Sequence, residues 1–108
     1  MGVNKQILVG RVYDSPSFKE LKGDQVVVCS FVVSTQDALY KSTLRHKVVA
    51  FGKLAERCKR KLRQGSKVYV EGSSYPHYYR NQSGQLVFAQ ELRANVVPPL
   101  ATSKLSQA

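Results

Sequence analysis

Tryptophan is absent from the 108 residues, and cysteine occurs only twice, at Cys29 and Cys58. Two cysteines cannot build the disulfide framework of a small secreted domain. Cys29 falls in an apolar stretch and Cys58 on the inward side of an expected helix. Both are therefore expected as small core residues rather than ligands or nucleophiles, and the chain reads as intracellular. Long hydrophobic runs are also missing. Nothing approaches the roughly 18 apolar residues of a membrane-spanning helix. The opening Met-Gly-Val-Asn-Lys-Gln has no apolar signal-peptide centre, and Gln6 replaces the Ser or Thr of a myristoylation motif.

Acidic side chains are scarce. Asp14, Glu20, Asp24, Asp37, Glu56, Glu71 and Glu91 are scattered with no closely spaced pair, and His46 and His77 are the only histidines. No metal-ligand spacing, glycine-rich phosphate loop or nucleophile motif is present. Catalysis needs convergent titratable groups, so no enzyme, cofactor or metal is expected. Asn81-Gln82-Ser83 fits a glycosylation acceptor but reads as a chance match in a tight turn.

What the chain does have is positive charge. Seventeen Lys and Arg against seven acids give a net charge of +10, above the magnitude of about 2–8 usual for a small soluble domain. That excess favours a polyanionic partner, nucleic acid ahead of an acidic membrane surface, with solubility alone as the plain alternative. A chain of this size folds as one domain and buries about 60–70 % of its unfolded surface, so self-association would add useful stability.

Apolar alternation predicts strands over 5–12, 26–35, 43–51, 67–79 and 86–97. In the second, Val27, Cys29, Phe31 and Val33 share one face. In the third, Leu44, His46, Val48 and Ala50 form the core set, while Arg45, Lys47, Val49 and Phe51 take the other side. Residues 13–25, broken by Pro16 and Gly23, are expected as a loop or irregular hairpin. Leu54, Cys58 and Leu62 recur at helical spacing, so a helix is expected over 54–63, ended by Gly65. Gly72 marks a bulge or barrel corner, and Pro98-Pro99 ends the last strand. The result is an all-β fold with one helix between strands three and four, a five-stranded OB-fold barrel over 1–99 with a short flexible tail at 100–108. An SH3-like barrel lacks the helix, and a ferredoxin-like fold needs two.

OB-folds bind single strands by stacking bases on aromatics beside basic side chains, in the groove formed by strands two and three and the flanking loops. Lys5, Arg11, Tyr40, Lys41, Arg45, Lys47, Phe51, Tyr78, Tyr79 and Arg80 are the candidate contacts, and Tyr75 lies in the same cluster. Phe51 reads equally as a core residue at a strand end. Opposite parity places Tyr78 and Tyr79 on different faces, and Tyr13 and Phe88 read as structural. The helix segment carries six cations (Lys53, Arg57, Lys59, Arg60, Lys61, Arg63) and one acid, Glu56, a net of +5. It is either a solvated face or a secondary track for a wrapped strand.

Four stretches carry a resemblance across nearly the whole domain: Asn4-Lys5-Gln6-Ile7-Leu8-Val9-Gly10-Arg11, His46-Lys47-Val48-Val49-Ala50-Phe51-Gly52-Lys53-Leu54-Ala55, Leu62-Arg63-Gln64-Gly65-Ser66-Lys67-Val68-Tyr69-Val70-Glu71-Gly72, and Gln82-Ser83-Gly84-Gln85. Together they resemble the bacterial-type single-stranded DNA-binding protein family. The resemblance implies an OB-fold, homotetramers built from paired dimers, and sequence-independent binding of single-stranded DNA. It matches Phe51 and Tyr79 to base-stacking aromatics and His46 to a position near the subunit interface. Arg45 stands where the family carries a stacking Trp, and arginine also stacks on bases. Tyr40, in a short loop, substitutes for another aromatic. The family's acidic C-terminal tip is replaced by Thr-Ser-Lys-Leu-Ser-Gln-Ala, so recruitment of partners through the tail is not expected. This points to a specialised, organellar, phage or plasmid member, or to a truncated chain. The expected role is coating single-stranded DNA in replication, repair or recombination, in the cytoplasm with the nucleoid or in an organelle. A primosome or recombination accessory on the same fold and an RNA-binding OB module are the alternatives.

Overall fold

The computed structural model describes residues 4–21, 23, 26–37, 39 and 41–98. Tyr40 lies outside them. The described chain runs β1 (Gln6–Val12), β2 (Ser17–Leu21), β3 (Val26–Asp37), β4 (Ser42–Phe51), α1 (Gly52–Lys61), β5 (Lys67–Arg80) and β6 (Leu86–Val96). The strands hydrogen-bond in the order β1-β5-β6-β4-β3-β2, and β1 also pairs with β3 through Arg11↔Ser34 and Val12↔Val33. That second pairing closes the sheet on itself. β4 and β6 pair in parallel, the other neighbours antiparallel. This is the expected OB barrel, with the helix between β4 and β5.

The segment expected as a loop or irregular hairpin contributes a sixth strand. β2 pairs with β3 from Ser17↔Ser30 to Leu21↔Val26. Its sequence, Ser-Phe-Lys-Glu-Leu, has little strand character of its own. Phe18 is the member that packs against the core, and β3 supplies the hydrogen-bonding edge. The helix starts two residues earlier than the apolar spacing indicated. Phe51 is its extended N-cap, with φ −123°. At the other end the Leu62 N–H donates to the Cys58 carbonyl at 2.8 Å. The Arg63 guanidinium donates to the carbonyls of Arg60 and Leu62 at 3.1 and 2.9 Å, satisfying acceptors that the helix end leaves open.

Strand alternation sorts the side chains. Cys29, Phe31 and Val33 from β3, Val48 and Ala50 from β4, Val68 and Val70 from β5 and Leu92 from β6 fill the barrel, and Ala55 and Cys58 of α1 with its C-cap Leu62 plug its end. Both cysteines are buried free thiols, as expected. Burial alone raises the Cys29 pKa, and it is the main cause that pushes the Cys58 thiol up to about 11.

Two glycines stand where backbones meet. A Cβ on Gly10 would collide with the Ser34 carbonyl at the point where β1 crosses to β3. A Cβ on Gly72 would collide with the Arg93 carbonyl beside the β5–β6 register shift, where the sequence indicated a barrel corner.

Gly72→Val is therefore expected to cost at least about 1–3 kcal/mol, as for a steric clash in a packed interior, read from denaturant unfolding. A variant as stable as the parent would contradict this close approach. Both thiols are expected to resist alkylation at pH 8 in the folded protein and to react once it is denatured. Rapid labelling of the native chain would contradict their burial.

Candidate nucleic-acid interface

The residues that alternate away from the core form a second continuous surface. Across β2, β3 and β4, Lys19 faces Val28 and Val28 faces Phe51. One step along, Ser30 faces Val49, and further on Val32 faces Lys47 and Ser34 faces Arg45. The parallel β4–β6 pairing adds Glu91 beside Lys47 and Arg93 beside Val49. The β5–β6 hairpin adds Tyr75 opposite Glu91, His77 opposite Ala89 and Tyr79 opposite Val87. Val49 is buried although it lies outside the core cluster, so it forms the floor of this surface beneath longer neighbours.

Aromatic rings and cations interleave along it. The Arg45 guanidinium lies 4.0 Å from the Tyr13 ring centroid, and Arg93 lies 4.2 Å from that of Tyr75. Rings and guanidinium groups brought together in this way suit stacking on a base. His77 and Tyr79 stack at 6.0 Å and 29°. Phe51 is 42 % exposed and Tyr79 46 %, which answers the core alternative for Phe51. Lys47 and Arg93 flank the single acid Glu91 at 3.9 and 3.8 Å, long contacts that leave both cations their charge-pairing capacity.

Other expected contacts are placed differently. Tyr78 lies on the opposite face of the hairpin, its ring 5.1 Å from that of Phe88, and both are more than half exposed. Phe88 is therefore not part of the core packing. Lys5 sits on the β1–β5 side, paired with Glu71 at 2.7 Å. The hydrogen bond between them is the main cause that raises the Lys5 pKa and holds the Glu71 carboxyl below its ordinary value. Arg11 is next to Ser34 in the register, but its guanidinium donates to the Gly65 carbonyl at 2.9 Å. Arg80 donates to the Gly84 carbonyl at 2.9 Å and braces the hairpin turn. Lys41 is exposed in the β3–β4 turn with φ 52°. His46, half-buried, shares a 2.9 Å hydrogen bond with the Thr35 hydroxyl.

Sequence reasoning missed Arg93 and Lys19 and set Tyr13 aside as structural. Arg93 joins the surface only through the parallel β4–β6 pairing, which leaves no local signal. Tyr13 follows directly on β1, where nothing in its own neighbours announces Arg45. Among the described residues no His, Cys, Asp and Glu cluster suits a metal ion.

A six-stranded sheet closed by the β1–β3 pairing, with a helix between β4 and β5 and a cationic, aromatic outer face running from β3–β4 to the β5–β6 hairpin, has the architecture of an OB-fold single-strand-binding domain. The family model of the single-strand binding protein family matches residues 3–100, and the chain belongs to that family. It is a binding protein and not an enzyme. Among solved structures, the SSB domain of a Synechococcus sp. protein superposes with a TM-score of 0.71 at 25 % sequence identity, over 90 % of this chain and 96 % of that one.

Exposure of the groove aromatics makes them dispensable for folding. Phe51→Ala and Tyr79→Ala are expected to shift stability by no more than about 1 kcal/mol, against about 3–5 kcal/mol for Phe31→Ala in the core, measured by urea unfolding. A Phe51→Ala cost matching that of Phe31→Ala would return Phe51 to the core.

Proposed function

We propose that this surface holds single-stranded DNA irrespective of sequence. Bases stack on Phe51, Tyr75, Tyr79 and the Arg45–Tyr13 pair, while Lys47, Arg93 and the rim residue Lys41 engage phosphates. The observation that carries the reading is the interleaving of exposed rings and cations on one continuous face from Phe51 to Tyr79. Every base offers a π-face and every nucleotide a phosphate, so this chemistry selects single strands without reading their order. The binding unit in this reading is residues 1–99, with 100–108 as a dispensable tail. The role is protection of single-stranded DNA in replication, repair or recombination, at the nucleoid.

The protein acts as a homo-oligomer in this reading, a homotetramer by family analogy. Support comes from β1, which is paired on one side only from Gln6 to Gly10 and carries Ile7 and Val9 at 52 % and 65 % exposure. An unpaired strand edge with apolar side chains invites another chain. His46 is the candidate interface side chain from the sequence. No helix among the described residues is long and apolar enough to cross a membrane.

Titration with labelled oligo-dT tests the groove. Phe51→Ala and Tyr79→Ala are each expected to weaken binding by about 1–3 kcal/mol, and Tyr78→Ala to matter less. Log affinity should fall with log salt at about 0.7 per phosphate contact. Glu91→Gln should strengthen binding, because it removes the acid between Lys47 and Arg93. Equal losses for Tyr78→Ala and Tyr79→Ala, or salt-independent affinity, would contradict the assignment. Competition with oligo-U of equal length separates DNA from RNA preference, and solution mass with and without His46→Lys reports the assembly.

A further inference from the structure

Half of the chain's excess charge lies off this groove, on α1 and the residues just after it. Some of it is already engaged. Lys59 Nζ sits 4.3 Å from the Phe18 ring centroid, and Arg63 caps the helix end. Lys53, Arg57 and Lys61 make no ion pair with a described residue. They are spaced i, i+4, i+8, which lines them along one side of the helix, one per turn of about 5.4 Å. Ala55, Cys58 and Leu62 turn into the core, while Lys53 and Lys61 are exposed and Arg57 between them is half-buried. Like charges at i, i+4 repel and weaken a helix, a strain that a bound polyanion relieves.

The line is continuous with the groove. Phe51, the last exposed aromatic of β4, is also the N-cap of α1. Lys19 stands two strands away in the same cross-strand row, and Lys53 follows within the first turn. A single strand stacked on Phe51 and continuing past the end of β4 meets α1 next. The exposed side of α1 carries no aromatic or apolar anchor. The shallow cavity of about 190 Å³ between Phe18, Lys59 and Leu62 opens on the other flank of the helix. An acidic protein segment needs an apolar anchor pocket for affinity, whereas a sugar-phosphate backbone needs only a row of cations.

We propose that Lys53, Arg57 and Lys61 form a second phosphate track on α1, which takes the backbone of the same single strand where it leaves the groove at Phe51. The proposal rests on the groove reading above. The track contacts phosphates and no bases, so it extends the length of strand covered without adding sequence preference.

The test compares two lengths of oligo-dT on the parent and on K53Q/R57Q/K61Q. Glutamine keeps a helix propensity close to that of lysine and arginine. The short strand is about 8 nucleotides, within the ~4–16 that one OB-fold covers. The long strand is several times that length. On the long strand the triple variant is expected to lower the salt slope by roughly 2, at about 0.7 per lost contact, and affinity at 0.1 M salt by roughly 10–100-fold. The number of nucleotides occluded per protomer should shrink. Affinity for the short strand should stay within about twofold. Lys53→Gln and Lys61→Gln singly should each lower the slope by about 0.7, which keeps the test independent of the triple variant's stability. K53R/R57K/K61R should behave as the parent. Long-strand slope and occlusion equal to the parent's would overturn the track and leave the face to an acidic protein or to solvent. Equal losses on both lengths would overturn it as a separate site. A parent that fails to hold the short strand would instead refute the groove itself.

Discussion

β1 is hydrogen-bonded to two strands that are far apart in the sheet order, β5 along most of its length and β3 at its last two residues. The closure depends on Gly10, because only a residue without a side chain lets the β1 backbone come against the Ser34 carbonyl. Once the sheet closes, every strand residue has an inside and an outside. The inside becomes a small core of valines, Phe31, two thiols and one face of α1. The outside becomes a curved wall whose composition is free to serve binding.

That division explains why so basic a chain folds at all. No charged side chain is buried among the described residues, so no ion has to be desolvated inside a barrel of this size. The cations are held on outer faces where water and salt screen their repulsion. Within the candidate groove Glu91 sits between Lys47 and Arg93 and moderates the local excess. On the β1–β5 side Glu71 does the same for Lys5. α1 has only Glu56 against its row of cations, and there the repulsion is left largely standing.

The fold was legible because the alternation in β3, β4 and β5 is strong and the helix between them carries its own period. Arg45 and Lys47 could be assigned to a shared outer face from parity alone, and the cysteines to the core from their apolar company, whereas Phe51 at the strand end needed its exposure in the folded chain to join that face. β2 was not legible as a strand. Its five residues acquire strand structure by pairing with the edge of β3, a non-local event. The face of the hairpin that belongs to the groove was only half legible. Parity separates Tyr78 from Tyr79 but does not say which side continues the β3–β4 wall.

Local pattern by itself determined the period of β3, β4, β5 and the helix, the inward-facing Cys29, Phe31, Val33, Val48 and Ala50, and the sign of the surface, because these depend on neighbours two to four residues apart, whereas Leu44, expected in the same inward set, is exposed. Tertiary structure alone decided which outer faces become one. Arg93 reaches the wall through the parallel β4–β6 pairing, Tyr13 comes beneath Arg45 through the β1 crossing, and Arg11 turns to the Gly65 carbonyl. The cause is the closure of the sheet. It joins strands in an order different from their order in the chain, and only the packed barrel, with the backbone of β1 lying against β3 at Gly10, selects that order.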